Sequence, residues 1–222
     1  MKASFEATCA YLDSNYLTLE QLAARTGLAP ARLDVLIEAG CMPAHSHEAT
    51  FSLQVYAPIN GVHETQERRV RYYHPDLAAL ASEADSLANA HGLAGAAELL
   101  RARHDCAVAA FYADSEGPPV GMAQRAWAAW RDGTLGVCLK RVAIGGILAK
   151  VAATELMKAA LARAENEGES AVDGAALAES LEQYAAVTGP FGPHERAGST
   201  RALVYEPAQR LAANWRSGAA RR

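Results

Sequence analysis

The chain has little aromatic character, 7% of its residues, and alanine is by far its commonest residue, so helix should dominate over strands built from β-branched and aromatic side chains. No apolar run approaches the ~20 residues that cross a bilayer, and the start, MKASFEATCAYLD, lacks both a cationic stretch and an apolar h-region. A cytoplasmic protein with no membrane partner is expected. Cysteine is scarce: Cys9, Cys41, Cys106 and Cys138 are widely spaced without a CxxC pair, which reads as reduced thiols and not a disulfide framework. Positive charge is not in excess either, with 21 Lys and Arg against 25 Asp and Glu for a net charge of −4. Gly-rich phosphate loops, GxSxG and HExxH are missing, which argues against nucleotide-dependent, esterase and metalloprotease classes.

With 222 residues, half of them hydrophobic, the chain can bury one large core or two small ones. Phe5, Cys9 and Leu12 fall at helical spacing near the start. Thr18 and Gln21 then form a capping box that starts a helix at Leu19, and Gly27 supplies the left-handed residue that ends it. Pro30 opens a second helix with Leu33, Leu36 and Ile37 facing inward, and Gly40 stops that one. Phe51, Leu53, Val55 and Ala57 alternate with polar residues, Asn60-Gly61 is a hairpin signal, and a return strand runs through Arg69 to Tyr72.

Helix, turn, helix, Gly-x-x-Pro, hairpin and Tyr-x-x-Asp-Leu follow one another, carried by Leu19, Leu22 and Ala23, by Ala39-Gly40-Cys41-Met42-Pro43 and by Arg71-Tyr72-Tyr73-His74-Pro75-Asp76-Leu77. This order resembles the DNA-binding domain of MerR-type regulators, over about a third of the chain. The resemblance implies a winged helix-turn-helix over residues 1–76 that binds DNA as a homodimer, with Arg32, Arg68, Arg69 and Arg71 at the phosphates. The charge count points the other way. Residues 1–75 carry six cationic and eight anionic side chains, net −2, whereas affinity for DNA rests on Lys and Arg neutralising phosphates.

Residues 77–222 read as an α-helical domain, so the fold class is mainly α. Leu77, Leu80 and Leu87 share a helical face, Leu99 to Phe111 suggest another helix before the Gly117-Pro118-Pro119 break, and Trp127 lies on one face with Trp130. Ile144 to Leu161 support a helix over about 145–165, Ala175 to Tyr184 a further one, and Leu211 and Trp215 a last. Glycine and proline interruptions favour a compact bundle over a coiled coil. NYLTLEQLA, AGCMPAHSHE, GTLGVCLK and FGPHERAGSTR together resemble an uncharacterised family encoded beside natural-product biosynthesis genes. That resemblance implies a role in making a secondary metabolite, with a small-molecule partner.

Three segments carry candidate chemistry. Cys41, His45 and His47 precede the hairpin, with His63 and His74 on its far side; imidazole and thiolate of this kind suit zinc or another divalent transition metal, and a hydrogen-bonding or purely structural cluster is the alternative. Gly133-Thr134-Leu135-Gly136-Val137-Cys138 sets a thiol beside Lys140 and Arg141, which could activate Cys138 as a nucleophile, although alternation with Leu135, Val137 and Leu139 favours a core thiol. The Gly/Pro-rich segment 189–201 carries His194, Arg196, Ser199 and Arg201. Its arginines could clamp a carboxylate or phosphate, together with Lys140. An enzyme would then use His45, His47 or His194 as general acid or base. The competing class is a ligand-responsive regulator.

Overall fold

The computed structural model describes residues 4–59, 61–114 and 117–219. The chain is mainly helical, with one small antiparallel sheet of order β1-β3-β2. It divides into two compact units. Unit 1 comprises Met1–Tyr11, Arg103–Trp127 and Cys138–Arg222, and unit 2 comprises Leu12–Ala102 and Ala128–Val137. The expected boundary at residue 76 is replaced by four passages of the chain between units. No helix among the described residues is long and apolar enough to cross a membrane.

In unit 2, helix α1 (Phe5–Asn15, shared with unit 1) leads through β1 (Leu17–Thr18) into α2 (Leu19–Thr26). The capping box is formed: the Gln21 amide N–H donates to the Thr18 hydroxyl at 3.3 Å, and the Thr18 amide donates back to Gln21 Oε1 at 2.8 Å. Gly27, at φ +72°, closes α2 by donating its N–H to the Ala23 carbonyl. Helix α3 (Pro30–Glu38) begins at the expected proline. Strands β2 (His47–Ala57) and β3 (Gly61–Tyr73) form a ribbon longer than the alternation suggested, pairing His47 with Tyr72 at its base and Ala57 with Gly61 at its end. Asn60, half of the expected turn dipeptide, lies outside the described residues. Leu22, Leu33, Leu36, Met42, Tyr73 and Leu77 are fully buried in this unit, each contributing about 1.5–3 kcal/mol of transfer free energy where aliphatic.

Helix α4 (Leu77–Phe111) joins two expected helices across a non-helical Gly92, and passes from unit 2 to unit 1 after Ala102. Helices α5 (Met122–Arg131) and α6 (Thr134–Cys138) follow. Unit 1 has two apolar clusters. One joins Val108, Met122 and Ala126 to Leu148 of α7 (Ile144–Glu167). The other joins Met157 of α7 to Leu177, Leu181 and Tyr184 of α8 (Gly174–Val187) and to Val204, Ala208 and Leu211. Asp173 caps α8 by accepting from the Ala175 and Ala176 amides. Arg201–Tyr205 form a π-helical turn that runs into α9 (Glu206–Ala219), the Glu206 N–H donating five residues back to the Arg201 carbonyl. Pro207 has no N–H with which to continue a regular ladder, so the wider turn falls where a bond is missing in any case.

Candidate functional site

The Gly/Pro segment Gly189–Ser199 carries the chain from α8 to the π turn, and the turn aims its first residue, Arg201, inward. The guanidinium carbon lies 5.6 Å from the Phe191 ring centre and 5.7 Å from the Tyr205 ring centre. Delocalised charge and weak hydration let an arginine sit between rings in this way. One Nη atom donates to the Gly189 carbonyl at 3.4 Å, while Nε is buried without a hydrogen-bond partner. Tyr205 stacks on Tyr184, with ring centres 4.8 Å apart and planes 23° apart. Tyr184 is wholly buried and its hydroxyl also has no partner. Burial pushes its pKa up to about 12, against the opposing pull of the Arg201 cation, so at neutral pH the phenol keeps its proton. Lys150 adds a second cation 5.8 Å from the Phe191 ring.

A buried donor without an acceptor costs about 1–3 kcal/mol. Arg201 Nε and the Tyr184 hydroxyl are two such donors, on side chains that both lie against the Tyr205 ring. Arg201 stood out in the sequence as a candidate anion ligand from its loop. Tyr184 and Tyr205 did not: Tyr184 occupies a core position of α8, and only the burial of its polar end distinguishes it from packing.

The other expected residues of unit 1 have different roles. Arg196, at 67% exposure, forms an ion pair with Glu206 at 3.0 Å. Lys140 donates to the Ala185 carbonyl at 2.6 Å, closing the C-terminal end of α8 where carbonyls lack partners. The Ser199 hydroxyl donates to the Arg196 carbonyl and accepts from the Ala202 amide, bracing the entry to the π turn. His194 packs edge-on to Tyr11 with ring centres 6.1 Å apart and has Nε2 3.9 Å from Glu195 Oε1. Burial raises the Glu195 pKa, while His194 and the Gly192 amide act in the opposite sense. Cys138 is buried, with its carbonyl accepting from the Gly189 amide; the thiol belongs to the interior.

In unit 2, Gly133 and Gly136 serve the histidine segment and do not present a thiol. A Cβ at Gly136 would strike the Ser46 hydroxyl and approach His74 Cβ to 3.1 Å. Tyr16 donates its hydroxyl to the Gly136 carbonyl at 3.2 Å and meets His47 edge-on at 4.6 Å and His74 at 6.4 Å. His45 lies near Tyr73, ring centres 6.3 Å apart; burial disfavours the charged ring and lowers its pKa, against the opposing pull of Glu48. Cys41 gives its thiol to the Leu93 carbonyl, His74 Nδ1 accepts from the Asp76 amide, and among the described residues no three of Cys41, His45, His47 and His74 converge as ligands. The side chain of His63 lies outside the described residues. Its backbone is nine residues up β3 from Tyr72, which pairs with His47, about 30 Å at strand rise, so His63 and His47 cannot share one ion.

Of the four arginines expected at DNA, two have acidic partners. Arg32 is held by Asp85 at 2.7 Å and Asn89 at 3.2 Å, and Arg71 pairs with Asp34 at 3.2 Å. Arg68 and Arg69 are exposed on the ribbon.

Residues 106–209 match the model of a family of unknown function, DUF6058. The matched segment is just under half of the chain and contains every residue of the Arg201 cluster. No curated protein and no solved structure matches the chain. The chain therefore carries a segment similar to an uncharacterised family.

Proposed function

We propose that the protein binds and acts on a small anionic metabolite in natural-product biosynthesis, in the cytoplasm, and that unit 1 recognises the anion. The observation that carries this reading is the pair of buried, unsatisfied donors, Arg201 Nε and the Tyr184 hydroxyl, set among Phe191 and Tyr205. Arg201 supplies the charge and Tyr184 a neutral hydrogen bond. His194 and Glu195, on the segment leading to Arg201, are the groups suited to moving a proton. The MerR-like arrangement of α2, α3 and the ribbon serves as a scaffold in this reading, because Arg32 and Arg71 are tied to acidic partners.

The test is isothermal titration at fixed ionic strength with benzoate, inorganic phosphate and, as control, chloride. One of the two oxyanions should bind and chloride should not. Arg201→Met should weaken that binding at least tenfold, and Tyr184→Phe severalfold, with circular dichroism unchanged. No binding of either oxyanion, or equal binding by Arg201→Met, overturns the proposal.

A further inference from the structure

Arg201 shares the Phe191 ring with a second cation. Lys150, on α7, holds its ammonium 5.8 Å from the ring centre, and the Arg201 guanidinium carbon is 5.6 Å from the same point. The two charges therefore stand no more than about 11 Å apart, on the order of one Debye length at physiological salt, and act together on an anion bound beside the ring. Both side chains are partly buried. Among the described residues neither forms an ion pair with a carboxylate, although the adjoining segments carry acids. Glu195 accepts from the Gly192 amide at 3.3 Å and has its other oxygen toward His194. Glu206 is held by Arg196 at 3.0 Å, and Glu155 of α7 pairs with Lys158 at 2.8 Å.

Two like charges at one ring, partly withdrawn from water and with the acids of the adjoining segments engaged elsewhere, repel each other and attract negative charge in proportion to both. A monocarboxylate neutralises one of them. A phosphate monoester, which carries about −1.5 to −2 near pH 7, or a dicarboxylate neutralises both. Building on the Arg201 reading above, we propose that the ligand recognised by unit 1 is a dianion, and that Lys150 with Arg201 sets the preference for two negative charges over one. The two cations divide the task. Arg201, with its planar fork and its buried Nε, fixes the position of an oxyanion of either charge, whereas Lys150 acts as a point charge and discriminates by charge alone.

Isothermal titration of the full chain at fixed ionic strength compares two pairs of probes, phenyl phosphate with benzoate and glutarate with butyrate. Within each pair the organic body is alike and the charge differs. At least one dianion should bind about tenfold tighter than its monoanionic counterpart, and which one does so tells whether the two charges sit on one phosphoryl group or on two carboxylates. Lys150→Met should weaken that dianion about fivefold or more, leave any binding of the monoanion within about twofold and keep the circular dichroism. Lys150→Arg should restore the affinity. Dianions that bind no tighter than their monoanionic counterparts, or a Lys150→Met variant that changes both members of a pair alike or neither, overturn the proposal. The Arg201 reading outlives that result if benzoate binding still depends on Arg201, and both fall if no probe binds.

Discussion

Replacing Gly133 by alanine tests how the histidine segment is held. Gly133 has φ +82°, and a Cβ built there would collide with the His45 carbonyl oxygen and lie 2.8 Å from the Ala44 carbonyl oxygen. Two effects add. An alanine in the left-handed region costs about 1–2 kcal/mol, and forcing a methyl against backbone that cannot swing aside costs about 1–3 kcal/mol more. The total, about 2–5 kcal/mol, is a large fraction of the ~5–15 kcal/mol that a folded domain has. Gly27→Ala is the matched control, since Gly27 has φ +72° and nothing within 4 Å of its Cβ position, so that only the conformational cost applies. Urea unfolding followed by circular dichroism reads both. At an m-value of about 2 kcal/mol/M, Gly133→Ala should lower the midpoint by about 1–2.5 M and Gly27→Ala by about 0.5–1 M. Equal shifts in the two variants would refute close packing of the glycine against Ala44 and His45.

Thiol reactivity and pH give two further outcomes. A colorimetric thiol reagent should modify exposed Cys106 first and reach Cys41 and Cys138 only as the protein unfolds, because both are buried; early modification of Cys138 would restore it as a nucleophile. Burial raises the folded-state pKa of Glu195 above its unfolded value, so its contribution to stability is present below the ordinary carboxylate range and is lost as pH rises through the folded pKa. Glu195→Gln should therefore flatten the fall in melting temperature as pH rises out of the ordinary carboxylate range, and an unchanged profile counts against a half-buried carboxyl.

Local chemistry made the N-terminal elements legible. A capping hydroxyl, a left-handed glycine and a proline act over three or four residues, and Thr18, Gln21, Gly27 and Pro30 all stand where that chemistry requires. Helices α7, α8 and α9 were legible from periodicity, within a few residues at their ends. Strand β1 was not, since two residues, Leu17 and Thr18, leave no alternation to read and exist as a strand only through Tyr72 and Tyr73. The spacing of Gly133 and Gly136 suggested presentation of Cys138, but the close approach that needs those glycines comes from residues nearly ninety positions earlier. The Arg201 cluster was half legible. Its loop advertised charge, whereas which arginine turns inward depends on the π turn and on Glu206 holding Arg196 outside.

The four passages between units have a consequence for synthesis. Unit 2 takes its last ten residues from Ala128–Val137, after the chain has spent Arg103–Trp127 in unit 1, and unit 1 needs both the first eleven residues and the last segment to leave the ribosome. Neither unit is a contiguous stretch: unit 2 is complete once Val137 has emerged, but unit 1 cannot finish folding until Cys138–Arg222 have followed. The N-terminal residues must wait for the C-terminal ones, a closure over nearly the full chain that slows folding and leaves apolar surface open in the meantime. A fragment cut at residue 76 lacks the glycines that seat His45 and Ser46, so truncation at the boundary suggested by composition removes part of the unit it is meant to isolate.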